Sequence, residues 1–166
     1  TAPLGVIEQL LKENEGWLYR TGDGSREHYD DAGRLQRIEY ASGISHTLIY
    51  DNEQRLQRIE NSRGEHLTLH WQSRHLQSIA LPNNRKRQYS YDNAFNLTGV
   101  RELTHWYDRI TSLFITPARA YHYDDKRFAH ALTGLDDATG ARYATWTYDN
   151  AGRAISSEHG TGAEKV

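Results

Sequence analysis

The chain has 166 residues, a formal net charge of -2, and neither cysteine nor methionine. A balance so close to neutral argues against a dedicated nucleic-acid binder, which carries a clear basic excess; the missing cysteines exclude disulfides and thiolate metal sites, and no run of about 18 apolar residues is present to span a membrane as a helix. Hydrophobic residues make up 37% and 11 of the aromatics are Tyr, with mean hydropathy of -0.85, so amphipathic ring ladders are expected more than an aliphatic interior.

Taken in order, the first clear signal is Gly22-Asp23-Gly24, a tight hairpin turn between Leu18-Tyr19-Arg20 and Ser25 to Tyr29. From Glu27 to Gly64 the sequence then writes one pattern twice, EHYDDAGRLQRIEYASG and LIYDNEQRLQRIENSRG, at a spacing of 21 residues. The Tyr-Asp pair at its centre recurs as Tyr29-Asp30, Tyr50-Asp51, a degenerate Trp71-Gln72, Tyr91-Asp92, Tyr123-Asp124 and Tyr148-Asp149. Leu and then Ile or Val follow at matched offsets: Leu35 and Ile38, Leu56 and Ile59, Leu76 and Ile79, Leu97 and Val100. A fixed period in this range marks a repeat architecture.

Each unit reads as a β-hairpin. Large groups alternate before the pair, as in Leu48 and Tyr50, Tyr89 and Tyr91, or Ala144, Trp146 and Tyr148, which places them on one face of a strand. Asp opens the turn by accepting backbone hydrogen bonds, and a Gly three residues later adopts the positive φ that closes a type I turn with a bulge. Gly33 and Gly152 fit. Gln54 and Phe95 stand where Gly is expected, so those turns must differ or carry strain. On the return strand, Leu35 and Ile38 point to opposite faces unless a bulge intervenes. Between Arg101 and Ala120 the rhythm breaks: Trp106-Tyr107-Asp108 reads as a degenerate unit that lacks the Gly-Arg-Leu turn or, equally, as a loop or short crossing hairpin, and Pro117 disfavours a central strand. From Glu158 onward the chain reads as flexible or as a strand that continues elsewhere.

The units resemble the YD repeats of Rhs proteins and teneurins, whose pattern is aromatic-x-Tyr-Asp, two residues, Gly-Arg-Leu, and Ile or Val three further on. Tyr29-Asp30 through Gly33-Arg34-Leu35 to Ile38 matches in full, and Tyr148-Asp149 through Gly152-Arg153 nearly so. Gly16-Trp17-Leu18-Tyr19-Arg20, and Gly134-Leu135-Asp136 to Gly140 with Tyr143 and Trp146, resemble bacterial Rhs chains, so the likeness covers about residues 16–160. It also implies strand at residues 1–15, although Val6, Ile7, Leu10 and Leu11 have helical spacing. Rhs proteins of this kind are large polymorphic toxins, many of them type VI secretion effectors, whose repeats build a hollow cocoon around a C-terminal toxin domain. The Asp-Pro-x-Gly-Leu segment at which the family cleaves itself is absent from this sequence, which, beginning at Thr1, reads as one piece of such a shell.

Candidate chemistry is sparse. His66 and His70 lie four apart in a strand, about 13 Å, too far to share a metal. The pairs Asp30-Asp31, Asp124-Asp125 and Asp136-Asp137 fall at turns, where Asp serves local hydrogen bonding, and adjacent strand residues point apart. Asn84-Arg85-Lys86-Arg87 reads as a solvated turn with edge charges that discourage aggregation. No nucleophile elbow, phosphate loop or HExxH run occurs.

The expected fold is all-β: consecutive antiparallel hairpins in a strongly curved sheet, an arc of an Rhs-type β-cocoon. Residues 1–166 form one repeat region with units near 17–43, 44–64, 65–85, 86–102, 118–140 and 141–160 and an irregular insertion at 103–117. The residues expected to carry it are structural: Tyr29, Asp30, Gly33, Arg34, Tyr50, Asp51, Trp71, Tyr91, Asp92, Tyr123, Asp124, Trp146, Tyr148, Asp149, Gly152 and Arg153. No catalytic residue, metal or cofactor is expected. The resemblance implies a shell segment of an exported effector, made in the bacterial cytoplasm and secreted, with the rest of the shell, the enclosed toxin domain and secretion-apparatus proteins as partners. Open sheet edges raise an edge-paired homodimer. A free-standing binding module for carbohydrate or a protein partner is the alternative, and an enzyme ranks third.

Overall fold

The computed structural model describes residues 8–103, 119–160 and 164–165. It is all-β, with no helix among the described residues, and it divides into two compact units, Thr1–His70 and Trp71–Val166.

In the first unit, β1 (Gln9–Glu13), β2 (Gly16–Arg20), β3 (Arg26–Tyr29), β4 (Leu35–Glu39), β5 (Ser45–Tyr50), β6 (Leu56–Asn61) and the start of β7 (His66–Gln72) each pair antiparallel with their sequence neighbours. The strand expected within residues 1–15 is β1. Register sorts the side chains by chemistry, because directly opposed residues share a face. One face carries Trp17, Tyr19, Tyr29, Leu35, Ile38, Leu48, Tyr50, Leu56 and Ile59, with Glu27 and His46 among them; the other carries Arg26, His28, Arg37, Glu39, Thr47, Arg58 and Glu60, with Leu18 and Ile49 among them. On the charged face Glu39 accepts Arg37 at 3.3 Å and Arg58 meets Glu60 at 2.9 Å. Pairs this exposed contribute under about 1 kcal/mol each, and their use is to keep that face wetted.

The second unit repeats the scheme with β8 (His75–Ala80), β9 (Lys86–Tyr91), β10 (Leu97–Leu103), β11 (Arg119–His122), β12 (Gly134–Asp136), β13 (Arg142–Tyr148), β14 (Ala154–His159) and β15 (Glu164–Lys165). Tyr89, Tyr91, Leu97 and Val100, and further on Tyr121, Leu135, Ala144, Trp146 and Tyr148, share one face. Opposite them Asp136 joins His122 at 2.7 Å and Arg142 at 3.1 Å. The basic run at 84–87 is split by the strand's alternation: Arg85 and Arg87 both pair with Glu102, whereas Lys86 points to the other face.

Turns follow one grammar. At 21–24, 30–33, 40–43, 51–54, 61–64, 92–95, 137–140 and 149–152 the fourth residue's N–H donates to the first residue's C=O, and the first residue's N–H donates to the carbonyl of the residue after the turn. This is the expected type I turn closed by a positive-φ residue. Gly33 and Gly152 take that φ freely; Gln54 and Phe95 take it at 65° and 64° as strained non-Gly residues.

The Leu-to-Ile spacing is resolved by a second device. Tyr29 faces Leu35 but His28 faces Arg37, so Gln36 is an extra residue in the return strand; Gln57, Thr98 and Ile155 are its counterparts after Leu56, Leu97 and Ala154. Each bulge lets residues three apart occupy one face and sharpens the local twist. Leu35 and Ile38 are thereby neighbours on the aromatic face.

The layer has little interior. Among the described residues the buried hydrophobics are Leu18, Leu103 and Ala144, and no large side chain is fully buried. Two expectations change, and one open alternative is decided. Leu103, placed in the irregular insertion, closes β10, and the rest of that insertion with its Trp106-Tyr107-Asp108 lies outside the described residues. Of the two readings for the segment from Glu158, flexible or strand, Glu158 and His159 take the strand: they complete β14 and pair with β15. Tyr123-Asp124 does not open a four-residue turn: β11 and β12 are joined by an eleven-residue loop, 123–133.

Candidate functional site

The recurrent site is the Tyr-Asp turn. Asp30 Oδ1 accepts the Arg34 N–H at 2.8 Å while Oδ2 takes Arg34 Nε at 2.8 Å. Asp51 accepts the N–H groups of Glu53 and Arg55, both at 2.9 Å, and Arg55 Nε at 2.8 Å. Asp149 does the same with Ala151, Arg153 and the Arg153 guanidinium. The backbone N–H donors, with the guanidiniums next, hold Asp30, Asp51 and Asp149 below the usual carboxylate range against the opposing effect of desolvation. Arg34 has a second task, standing 5.7 Å from the centroid of the Tyr50 ring.

Tyrosine acts in the other direction along the chain. Tyr50 donates its hydroxyl to the Leu35 carbonyl at 2.7 Å, Tyr91 to Leu76 at 2.9 Å, and Tyr148 to Leu132 at 2.8 Å. Strand pairing explains why a side chain is needed there. The ladder between β4 and β5 runs from Glu39 to Arg37 and stops at the bulge, so Leu35 presents a carbonyl that no backbone N–H of β5 reaches. Tyr50 closes that gap, and a half-buried carbonyl left open would cost about 1–3 kcal/mol. Tyr50 and Tyr91 thereby stitch their hairpins to the strand before, and Tyr148 stitches its own to the 123–133 loop.

Two positions depart from the plan. Trp71-Gln72 supplies an indole and an amide in place of the hydroxyl and carboxylate, and its turn shrinks to Ser73-Arg74 with Ser73 at φ 52°. Tyr29 donates to the Glu27 carboxylate instead of a carbonyl, which pushes the phenol up to about 12.

The 123–133 loop is the part that motif reading missed. Asn96 stands where the repeat has Arg; its side-chain amide caps Asp92 at 2.8 Å, donates to the Ala129 carbonyl at 2.7 Å, and its oxygen meets His130 Nδ1 at 2.6 Å. Since that oxygen can only accept, His130 donates from Nδ1. Arg127 donates to the Tyr148 carbonyl at 2.9 Å and to Asn150 at 2.7 Å, and a methyl group at Gly152 would stand 3.3 Å from the Phe128 ring. One strap thus fastens the turns at Asp92 and Asp149. Tyr123 is near Asp92, with burial as the main cause of its raised phenol; Asp124 accepts from Thr133, and Asp125 is capped by Arg127. Trp146 donates its backbone N–H to Thr133 at 3.0 Å and shares a face with Tyr148. The signals for this strap were the 32-residue step from Tyr91 to Tyr123 and the Arg-to-Asn exchange at position 96.

The adjacent carboxylates do not converge. Asp31 meets Lys12 while Asp30 caps its turn, and Asp136 meets His122 and Arg142 while Asp137 caps the turn at 137–140. Among the described residues no group of three His, Cys, Asp or Glu side chains is placed to hold a metal.

Comparison with protein-family models and with curated proteins finds no match. Solved structures do match in fold. A crystal structure of TcdB2-TccC3-TEV aligns at TM-score 0.54 and 16% identity over 86% of this chain. The Tc holotoxin pore of Photorhabdus luminescens, in a form carrying a TccC3 mutation, aligns at TM-score 0.54 and 17% identity over 86%. The chain spans 8% of the length of either matched chain. At such identities the likeness shows the fold: the all-β hairpin array of this chain is the kind found in Tc toxin chains.

Proposed function

We propose that the chain is a stretch of shell wall from an Rhs-type polymorphic toxin, a type VI secretion effector exported from the cell, which helps to enclose a C-terminal toxin domain and carries out no catalysis itself. The observation that carries this reading is the stitch from Tyr50, Tyr91 and Tyr148 to backbone carbonyls earlier in the chain. It extends a sheet hairpin by hairpin without requiring a closed core, and the sparse burial agrees. A layer built this way separates two spaces, with an aromatic wall on one side and a charged wall on the other. The fold likeness to Tc toxin chains supports the same reading, and the partners it calls for are further shell, an enclosed toxin domain and components of a secretion apparatus.

The test is the intact mass of the natural product in its source cells, detected with an antibody against this region. The expected result is a species far above 19.2 kDa in which a C-terminal segment resists protease until the shell is unfolded. A stable product near 19.2 kDa would overturn containment in favour of a free-standing binding module.

A further inference from the structure

A second feature, on the aromatic face of the first unit, is chemically unlike the turns. Leu10, Trp17, Tyr19, Tyr29 and Gly33 line a cleft of about 310 Å³. Register places Trp17 opposite Tyr29 and Tyr19 opposite Glu27, with Lys12 and Leu10 on the outer side of Trp17 and Tyr19. Carboxylates crowd the hydroxyls here: Tyr29 donates to Glu27, and Glu8, with Glu27 further off, holds the Tyr19 phenol above its ordinary value. A phenol that donates to a carboxylate gains electron density, and its ring face then attracts cations more strongly.

A cation already tests that surface. Lys12 Nζ stands 4.9 Å from the Trp17 ring centroid while it is also paired with Asp31, and Trp17 remains 37% exposed. Rings and Leu10 cannot replace the hydration shell of a small inorganic ion. An ammonium whose hydrogens are replaced by methyl groups sheds water readily and presents positively polarised C–H groups to ring faces. We propose that this cleft binds a quaternary or fully methylated ammonium group, caged by Trp17, Tyr19 and Tyr29 with Glu8 and Glu27 as the neighbouring anions and Lys12 as its internal competitor. The site does not depend on the wall reading.

The experiment is a choline titration of the whole chain, followed at the Trp17 indole N–H by NMR, beside the uncharged tert-butyl analogue of choline. Choline should bind with a dissociation constant on the order of 1 mM and the neutral analogue roughly tenfold more weakly. In a Trp17→Ala variant, followed at the backbone amides of Tyr19 and Tyr29, choline should cause no saturable shift, and Glu27→Gln should weaken the response at the Trp17 indole. Lys12→Gln, at an exposed position that can change without unfolding the sheet, should tighten choline by roughly threefold as the competitor is removed. Phosphatidylcholine vesicles, with phosphatidylglycerol vesicles as control, separate the two sources of this group: selective binding to the former makes it a lipid headgroup, and saturation by choline alone makes it a free solute. Equal shifts with choline and its neutral analogue, or no change in choline affinity in a folded Lys12→Gln variant, would overturn the proposal.

Discussion

Phe95 lies flat on His75, with ring centroids 4.4 Å apart and planes 6° from parallel. This contact accounts for a bulky residue at a turn position with φ of 64°: left-handed strain of about 1 kcal/mol is offset by a stacked pair of about 0.5–1.5 kcal/mol. Phe95→Gly should therefore leave stability nearly unchanged. In a His75→Ala background the same change should stabilise by about 1 kcal/mol, and a double-mutant cycle in urea measures the difference.

Gln54 holds the equivalent φ of 65° without such a platform. Gln54→Gly should raise the melting temperature by about 2–4 °C, the shift that about 1 kcal/mol produces in a chain of this size. A drop on thermal melting would show that the Gln54 side chain compensates its backbone.

Removing a single hydroxyl tests the stitch. Tyr50→Phe keeps the ring and leaves the Leu35 carbonyl open, so a loss of about 1–2 kcal/mol is expected in chemical denaturation. Faster amide exchange should appear around Leu35 and leave the Asp30 turn protected.

Acid should loosen the turns in a defined direction. Backbone N–H donors depress the folded values of Asp30, Asp51 and Asp149, and the Asn96 side-chain amide followed by its N–H depresses Asp92. A depressed folded value contributes stability above the unfolded value, near pH 4, which is lost as pH falls through the folded one. Thermal melts from pH 6 to about pH 2 should show this decline, and Asp51→Asn should flatten it.

The strap can be released from one end. Asn96→Ala removes the side-chain bonds to Asp92, Ala129 and His130 together while the backbone N–H still caps Asp92, at a cost of about 2–3 kcal/mol for the partners left open. Trypsin should then cut at Lys126 or Arg127 well before the rest of the unit, and equal rates in the parent chain would count against the strap.

Much of the hairpin plan is written in local chemistry. Asp at a turn opening, Gly three residues on and an alternating aromatic run each act within a few residues, so the turns at 30–33 and 149–152 and the strands beside them could be read directly. Even the bulge was implied by the clash between Leu35 and Ile38. The partners of the tyrosine hydroxyls could not be read, because the Leu35 carbonyl becomes available only after the ladder between β4 and β5 ends at Arg37. Tyr123-Asp124 misled for a related reason: the dipeptide is present, but Thr133 and Arg127 claim Asp124 and Asp125, and the chain continues into a loop instead of a tight turn.

The stitches also have a polarity. Tyr50 reaches back to Leu35, Tyr91 to Leu76 and Tyr148 to Leu132, so in every case the donor lies later in the chain than its acceptor. A newly made hairpin brings its own fastener and needs only a predecessor already in place, whereas the earliest hairpin waits on nothing downstream. In these three repeats the position of a single oxygen atom thus favours growth by accretion from the amino-terminal side.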